Sequence, residues 1–124
     1  MNDKTKKLTA ILEGHGFTKT EEISEGENNF YTYRKNYKIP QYLLEIEVET
    51  DVNELAHCDW DEYGEVEEGE PVSDHDDFII KIPDDTFELG DLEELEKLIR
   101  SVREELTIID KELKTTEKNM NGDW

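Results

Sequence analysis

The sequence is poor in cysteine and has no long apolar run. Cys58 is the single cysteine among 124 residues, so no disulfide can form within the chain, which fits a reducing compartment. No stretch approaches the ~20 apolar residues that a membrane-spanning helix needs. The apolar run at residues 8–12 is too short, and too soon followed by charge, to be a secretion signal. We therefore expect a cytoplasmic protein with no membrane partner.

Basic residues are few, and the middle of the chain almost lacks them. Residues 1–38 carry seven bases and six acids, and residues 97–124 carry six of each. Residues 39–96, which we call the acidic block, carry 22 acids and one base, Lys81. The formal charge of −20 therefore originates in this block. Such a surface repels phosphate, so we expect no direct binding of nucleic acid.

The sequence also lacks the motifs of the common catalytic and cofactor sites. Neither a P-loop nor a dinucleotide-binding glycine motif is present. His57, Cys58 and His75 lack the spacing of a zinc site, and carboxylates are too numerous for one acid–base pair to be singled out. We predict that the protein is not an enzyme and needs no cofactor or metal.

Three segments have the pattern of β-strands. Residues 41–50, QYLLEIEVET, alternate between apolar and acidic side chains, which is typical of a half-buried antiparallel strand. Residues 28–37 are rich in aromatic side chains, and residues 78–82, FIIKI, are almost wholly apolar. The acid- and glycine-rich residues 51–76 between them are predicted to form a loop region.

Two segments have the pattern of helices. Residues 3–13 place apolar side chains at helical spacing, and Gly14 and Gly16 follow as stop signals. Asp91 is predicted to cap the N-terminus of a second helix that runs to about Lys118.

The second helix carries an apolar stripe over three heptads. This spacing is compatible with packing on the sheet, which we favour, or with a coiled-coil homodimer. The stripe consists of Leu92, Leu95, Ile99, Val102, Leu106, Ile109 and Leu113.

These elements predict an α+β domain with an antiparallel sheet of three to four strands, a short N-terminal helix and a long C-terminal helix. Residues 1–118 are expected to form a single domain, and residues 119–124 a flexible tail. The stripe should cover the inner sheet face, including the FIIKI strand.

Residues 59–70, DWDEYGEVEEGE, resemble the calcium loop of an EF-hand. However, Tyr63 stands at the fifth position, where an oxygen ligand is needed, and Pro71 follows the closing Glu70. The flanking segments have no sustained helical period. A solvated or protein-binding acidic segment is therefore favoured over a calcium-binding module.

The strand glutamates suggest a different role for the acidic block. Every second residue of an extended strand faces the same way, so Glu45, Glu47 and Glu49 recur about every 6.6–6.8 Å. One strand of duplex nucleic acid advances about 3.4 Å per phosphate. A basic groove could therefore accept this row in place of a phosphate backbone. The candidate binding residues are Glu45, Glu47, Glu49, Asp59, Asp61, Glu62, Glu65, Glu67, Glu68, Glu70, Asp74, Asp76 and Asp77.

In size and charge layout the chain resembles the small acidic inhibitors of phages and mobile elements, such as anti-CRISPR proteins that mimic nucleic acid. This resemblance includes no sequence motif. It implies a phage- or mobile-element-encoded inhibitor that acts in a bacterial host cell. It also implies a basic nucleic-acid-binding partner, such as a CRISPR effector or another defence nuclease. An immunity-type or dimeric interaction protein with a merely solvated acidic surface remains the alternative.

Overall fold

The computed structural model describes residues 3–38, 45–56, 58–60, 66–68, 72–82 and 88–120. Helix α1 (Asp3–Gly14) begins the described chain and helix α2 (Leu89–Met120) ends it. Every strand pairing between them is antiparallel, so the predicted α+β class is confirmed. The strands are β1 (Thr18–Glu25), β2 (Asn28–Lys38), β3 (Glu45–Leu55), β4 (Cys58–Trp60), β5 (Val66–Glu68), β6 (Val72–His75) and β7 (Ile79–Lys81).

Strand β3 is the centre of a five-stranded sheet. One edge of β3 pairs with β2, which in turn pairs with β1. The other edge pairs with two short strands in succession, β7 along residues 47–49 and β6 along residues 52–55. Strands β4 and β5 form a separate two-stranded sheet.

The core lies between the helices and one face of this sheet. The even-numbered residues 46–52 of β3 are buried, while the intervening odd-numbered residues 47–51 are partly exposed, as the alternation predicts. Tyr33 and Tyr31 of β2 lie beside Thr50 and Val52 on the buried face. Helix α1 contacts β3 and β6, and α2 contacts α1, β2 and β6. The buried apolar residues are Leu8, Leu12, Phe17, Tyr31, Tyr33, Ile46, Val48, Val52, Leu98, Val102, Leu106, Ile109 and Leu113.

Helix α1 ends as the glycine signals predict. The backbone N–H of Phe17 donates to the carbonyl of Leu12 at 3.0 Å, and that of Gly16 donates to Glu13 at 3.0 Å. Gly16 has a φ of 91°. These two bonds and the left-handed residue form a Schellman motif, which satisfies carbonyls that the helix leaves free and turns the chain into β1.

Helix α2 begins three residues earlier than predicted. The predicted N-cap, Asp91, lies inside the first turn, and one oxygen of its carboxylate accepts a hydrogen bond of 3.1 Å from the backbone N–H of Glu88. This contact is the half of a capping box in which the third helical residue reaches back to the cap. The prediction that Asp91 is the N-cap was therefore wrong. The helix continues to Met120, and residues 121–124 of the predicted tail lie outside the described residues.

Two other segments differ from the sequence prediction. Strand β1 was not predicted, because all eight of its residues are exposed and Ile23 is its one large apolar residue. The predicted loop region 51–76 contains the end of β3 and all of β4, β5 and β6. Polar strands of three or four residues are stabilised by pairing with a neighbour rather than by an apolar alternation, so the sequence carried little sign of them.

The stripe on α2 packs on the sheet over only part of its length. Four of its residues, Val102, Leu106, Ile109 and Leu113, are buried in the core, which supports packing within one chain. The prediction that the stripe also covers the FIIKI strand was wrong beyond Phe78, which is partly buried and packs against the core. Ile80 and Ile82 are about half exposed, and Ile99 on α2 is 41% exposed. An open cavity of about 610 Å³, which we call the β7–α2 groove, separates β7 from the helix.

Lys35 joins three parts of the domain beneath the sheet. Its Nζ donates to the carbonyl of His15 at 2.6 Å and to Glu105 of α2 at 2.6 Å. It also lies 4.6 Å from the centre of the Tyr37 ring, which is cation–π distance. Burial, and next the charge of Glu105, raise the pKa of the Tyr37 hydroxyl far above its usual value. Lys35 of β2 therefore connects the C-terminal end of α1 to α2.

Candidate protein-binding surface

The candidate residues on β3 lie on the face of the sheet opposite the helices. Glu45, Glu47 and Glu49 alternate with buried Ile46 and Val48, as predicted. Strands β2 and β7 flank this part of β3 on either side. The side chains that those two strands present on the same face therefore determine the charge of the glutamate row.

Two of the three glutamates are neutralised by bases within the chain. In the register of β2 and β3, Arg34 lies opposite Glu49. Its Nε lies 2.6 Å from Glu47, and its Nη2 donates to Glu49 at 2.9 Å. On the other side, Nζ of Lys81 lies 3.9 Å from Glu47 and 3.7 Å from Glu49. The two carboxylates thus face two cations, and the expected row of free negative charges is reduced to Glu45.

Arg34 is a residue of this surface that was not identified from the sequence. It lies outside the acidic block, in a segment that looks electrically balanced, and only the pairing of β2 with β3 places it beside Glu47 and Glu49. The sequence predicted a strand at residues 28–37 but assigned no face to Arg34. The register, which depends on the tertiary structure, was needed to find its partners.

A pH-dependent effect is expected at Glu49. The hydrogen bond from Arg34, and next the charge of Lys81, lower the pKa of Glu49 from its ordinary value of 4.5. The ionised carboxylate therefore stabilises the fold above that value, and this contribution is lost as the pH falls through the lower folded pKa. Glu49→Gln should lower the free energy of unfolding by up to about 1 kcal/mol at neutral pH. Urea titrations should show that the difference from wild type shrinks below about pH 4.5.

Glu45→Gln is the matched control for this effect. Glu45 is on the same strand face and is exposed; Lys38 lies opposite it in the register, but no ion pair within 4.0 Å joins Glu45 to a described base. Its replacement should change the free energy of unfolding at neutral pH less than Glu49→Gln does. Parallel stability profiles for wild type and Glu49→Gln would show that the Arg34 contact contributes nothing.

A second group of carboxylates lies farther along β3, beside β6. The side-chain amide of Asn53 donates to Asp74 at 3.0 Å and to Asp76 at 3.1 Å. The backbone N–H of Asp76 donates to the carbonyl of Asp51 at 2.9 Å. We call Asp51, Asp74 and Asp76 the aspartate cluster, which Asp51 joins through its backbone carbonyl. Asn53 is 8% exposed, so the group that orients Asp74 and Asp76 is itself held firmly by the sheet.

No described base forms an ion pair with the aspartate cluster. Within the described part of the chain, no lysine, arginine or histidine lies within ion-pair distance of Asp51, Asp74 or Asp76. His75, between the last two, instead turns inward: its Nε2 lies 3.2 Å from Asp110 of α2. The cluster is therefore an un-neutralised acidic surface.

The remaining candidates are less completely described. Asp77 follows the cluster and is exposed. Asp59 lies on β4 opposite Glu67 of β5, with Glu68 next along the same strand. Four further candidates lie outside the described residues: Asp61, Glu62, Glu65 and Glu70.

The flanks of the EF-hand-like stretch do not have the EF-hand arrangement. Strand β3 precedes it and strand β6 follows it, whereas a calcium loop of that type joins two helices. The stretch itself includes residues of β4 and β5. For the zinc hypothesis, His75 is packed against α2, and His57 lies outside the described residues. Among the residues that the structure describes, no three or more histidine, cysteine or acidic side chains are placed to hold a metal ion together.

Comparisons of the chain with protein-family models, with curated proteins and with solved structures found no match. The described residues also contain no helix that is long and apolar enough to cross a membrane. The functional argument therefore depends on the charges and contacts of this chain.

Proposed function

We propose that the protein binds the basic nucleic-acid groove of another protein, such as a CRISPR effector or another defence nuclease, and blocks access of nucleic acid to it. The observation that carries this proposal is the concentration of charge, with 22 acids and one base in residues 39–96. Acidic residues that serve only solubility need not be concentrated in one segment. A gathered polyanion attracts a basic groove over long range and accelerates association.

The aspartate cluster is the best-supported contact surface for such a groove. Its carboxylates are not paired with described bases, so a partner's arginine or lysine would find negative charge without displacing an internal cation. Asn53 holds two of them in place before binding. A preorganised group loses less side-chain entropy when it binds than a mobile one does. We therefore infer that Asp74 and Asp76 make the main contact with the basic groove and that Glu45 adds a more distant negative charge.

The ion-paired glutamates are given a different role. Glu47 and Glu49 lie against Arg34 at 2.6 Å and 2.9 Å, so a partner would have to compete with Arg34 for them. Because both are only partly exposed, that competition would also require desolvation. We infer that Glu47 and Glu49 stabilise the sheet and do not contact the partner.

Affinity capture from a bacterial lysate at low salt tests the proposal. The captured protein should bind DNA or RNA, should elute as salt rises, and should lose its nucleic acid when this protein binds. Screening reduces the reach of the charges to about 8 Å at physiological ionic strength, which is why salt should weaken the complex. A complex that holds nucleic acid and this protein together would show that the acidic surface is not a competitor.

A further inference from the structure

The outer edge of β7 combines two features that are rarely left exposed to water. One side of β7 pairs with β3, and no strand among the described residues pairs with its other side. The strand is also apolar, with Ile79 57% and Ile80 50% exposed, and Ile82 beyond its end 47% exposed. An unpaired edge offers backbone N–H and C=O groups to any extended chain, and proteins usually protect such an edge with charges, proline or a covering element. Lys81 is the one charged residue within β7 itself.

The β7–α2 groove extends this apolar edge towards the helix. Ile80 and Ile82 line one wall of the groove, and Ile99 and Leu106 of α2 line the other. Ile80, Ile82 and Ile99 therefore line one apolar groove on the helix side of the sheet, whereas Ile79, which pairs with Glu49, lies on the opposite face of the same edge. Patches of this kind on a folded domain mark interaction surfaces.

When the β7 edges of two copies of this chain run antiparallel, the charges and apolar side chains of one edge are complementary to those of the other. The segment DFIIK, residues 77–81, consists of β7 and the two residues before it; it begins with an acid and ends with a base. When two such segments pair with Ile79 opposite Ile79, Asp77 lies opposite Lys81 of the partner subunit, and the reverse pair forms by symmetry. Phe78 then lies opposite Ile80 of the partner subunit. Opposite charges and apolar pairs directly across a ladder stabilise an antiparallel sheet.

We propose that β7 pairs with β7 of a second copy of this chain, across a two-fold axis at Ile79, to form a homodimer with one continuous sheet. The edge is suited to a second copy because it contains Lys81, the single base of the acidic block, separated from Asp77 by three apolar residues. Elsewhere two chains of charge −20 repel each other. The β7–α2 groove of each chain would adjoin that of the other, since Phe78 and Ile80 line it. This interface leaves the buried α2 residues in the core of each monomer.

Sedimentation equilibrium of the full chain, at a salt concentration that screens the net repulsion, tests the dimer. Ile79→Lys places two lysines together on the axis and should weaken the dimer by about tenfold or more. Ile108→Lys is the matched control, because Ile108 on α2 has the same 57% exposure. The control should keep the wild-type mass. A monomeric wild type at all concentrations, or loss of the dimer in Ile108→Lys alone, would overturn the proposal.

A charge exchange tests the register. Asp77→Lys puts two lysines opposite each other in both symmetric pairs, and Lys81→Asp puts two aspartates there, so each change alone should weaken the dimer. The double variant Asp77→Lys/Lys81→Asp should recover most of the lost affinity, because the opposite charges then face each other again. Thermal melts of each variant would control for the loss of the Lys81 contacts with Glu47 and Glu49. A double variant no better than the single variants would overturn the proposed register.

The dimer and the proposed inhibition can be separated experimentally. Salt should favour the dimer by screening repulsion between two acidic chains, but should weaken the complex with a basic partner. Ile79→Lys should leave the aspartate cluster intact, so capture of the basic partner should continue when the dimer is lost.

Discussion

Replacing Asp74 and Asp76 together by asparagine is expected to weaken the complex with the captured basic protein by about tenfold or more. Asparagine has the same shape as aspartate and retains an oxygen that can accept the hydrogen bond from Asn53. The change therefore removes two charges and leaves the local geometry in place. Because the two carboxylates are un-neutralised in the free protein, their loss removes contact energy as well as long-range attraction.

The double variant Glu47→Gln/Glu49→Gln is the matched control for this prediction. It also removes two negative charges from the same sheet, but it removes them from the pair that contacts Arg34 and Lys81. Both variants should slow association to a similar extent, since long-range steering depends on the total charge. Only the Asp74/Asp76 variant should also dissociate markedly faster, which surface plasmon resonance would measure. Equal dissociation rates for the two variants would show that the aspartate cluster is not the contact.

Ile109→Ala is expected to lower the free energy of unfolding by about 2–5 kcal/mol. Ile109 of α2 is fully buried in the core, so truncation removes apolar contacts and leaves a cavity that the surrounding side chains fill only in part. Urea denaturation monitored by circular dichroism would measure the loss.

The adjacent residue provides the control, because it is the same amino acid on the same helix. Ile108 is 57% exposed, so Ile108→Ala should change stability by no more than about 0.5 kcal/mol. If Ile109→Ala has little effect on the monomer but abolishes self-association, the apolar stripe serves a coiled coil and not the core of one chain.

The fold class could be predicted because its signals are local. The alternation of QYLLEIEVET assigns Ile46 and Val48 to the buried face, and the helical spacing on α2 assigns Val102, Leu106 and Ile109 to the core. Gly16 indicated the end of α1 because a residue with a φ of 91° is most readily a glycine. The exposed strand β1 and the short strand β6 gave no comparable signal, since their stability depends on a neighbouring strand.

The sequence alone determined the amount of negative charge, its confinement to residues 39–96 and the face of β3 on which the glutamates lie. Only the tertiary structure decided which of those charges remain free. The register between β2 and β3 brought Arg34 to Glu47 and Glu49, and the pairing of β6 with β3 gathered Asp74 and Asp76 around Asn53. The physical reason is distance: alternation follows from the geometry of consecutive residues, whereas neutralisation depends on which distant segments come within a few ångströms of each other.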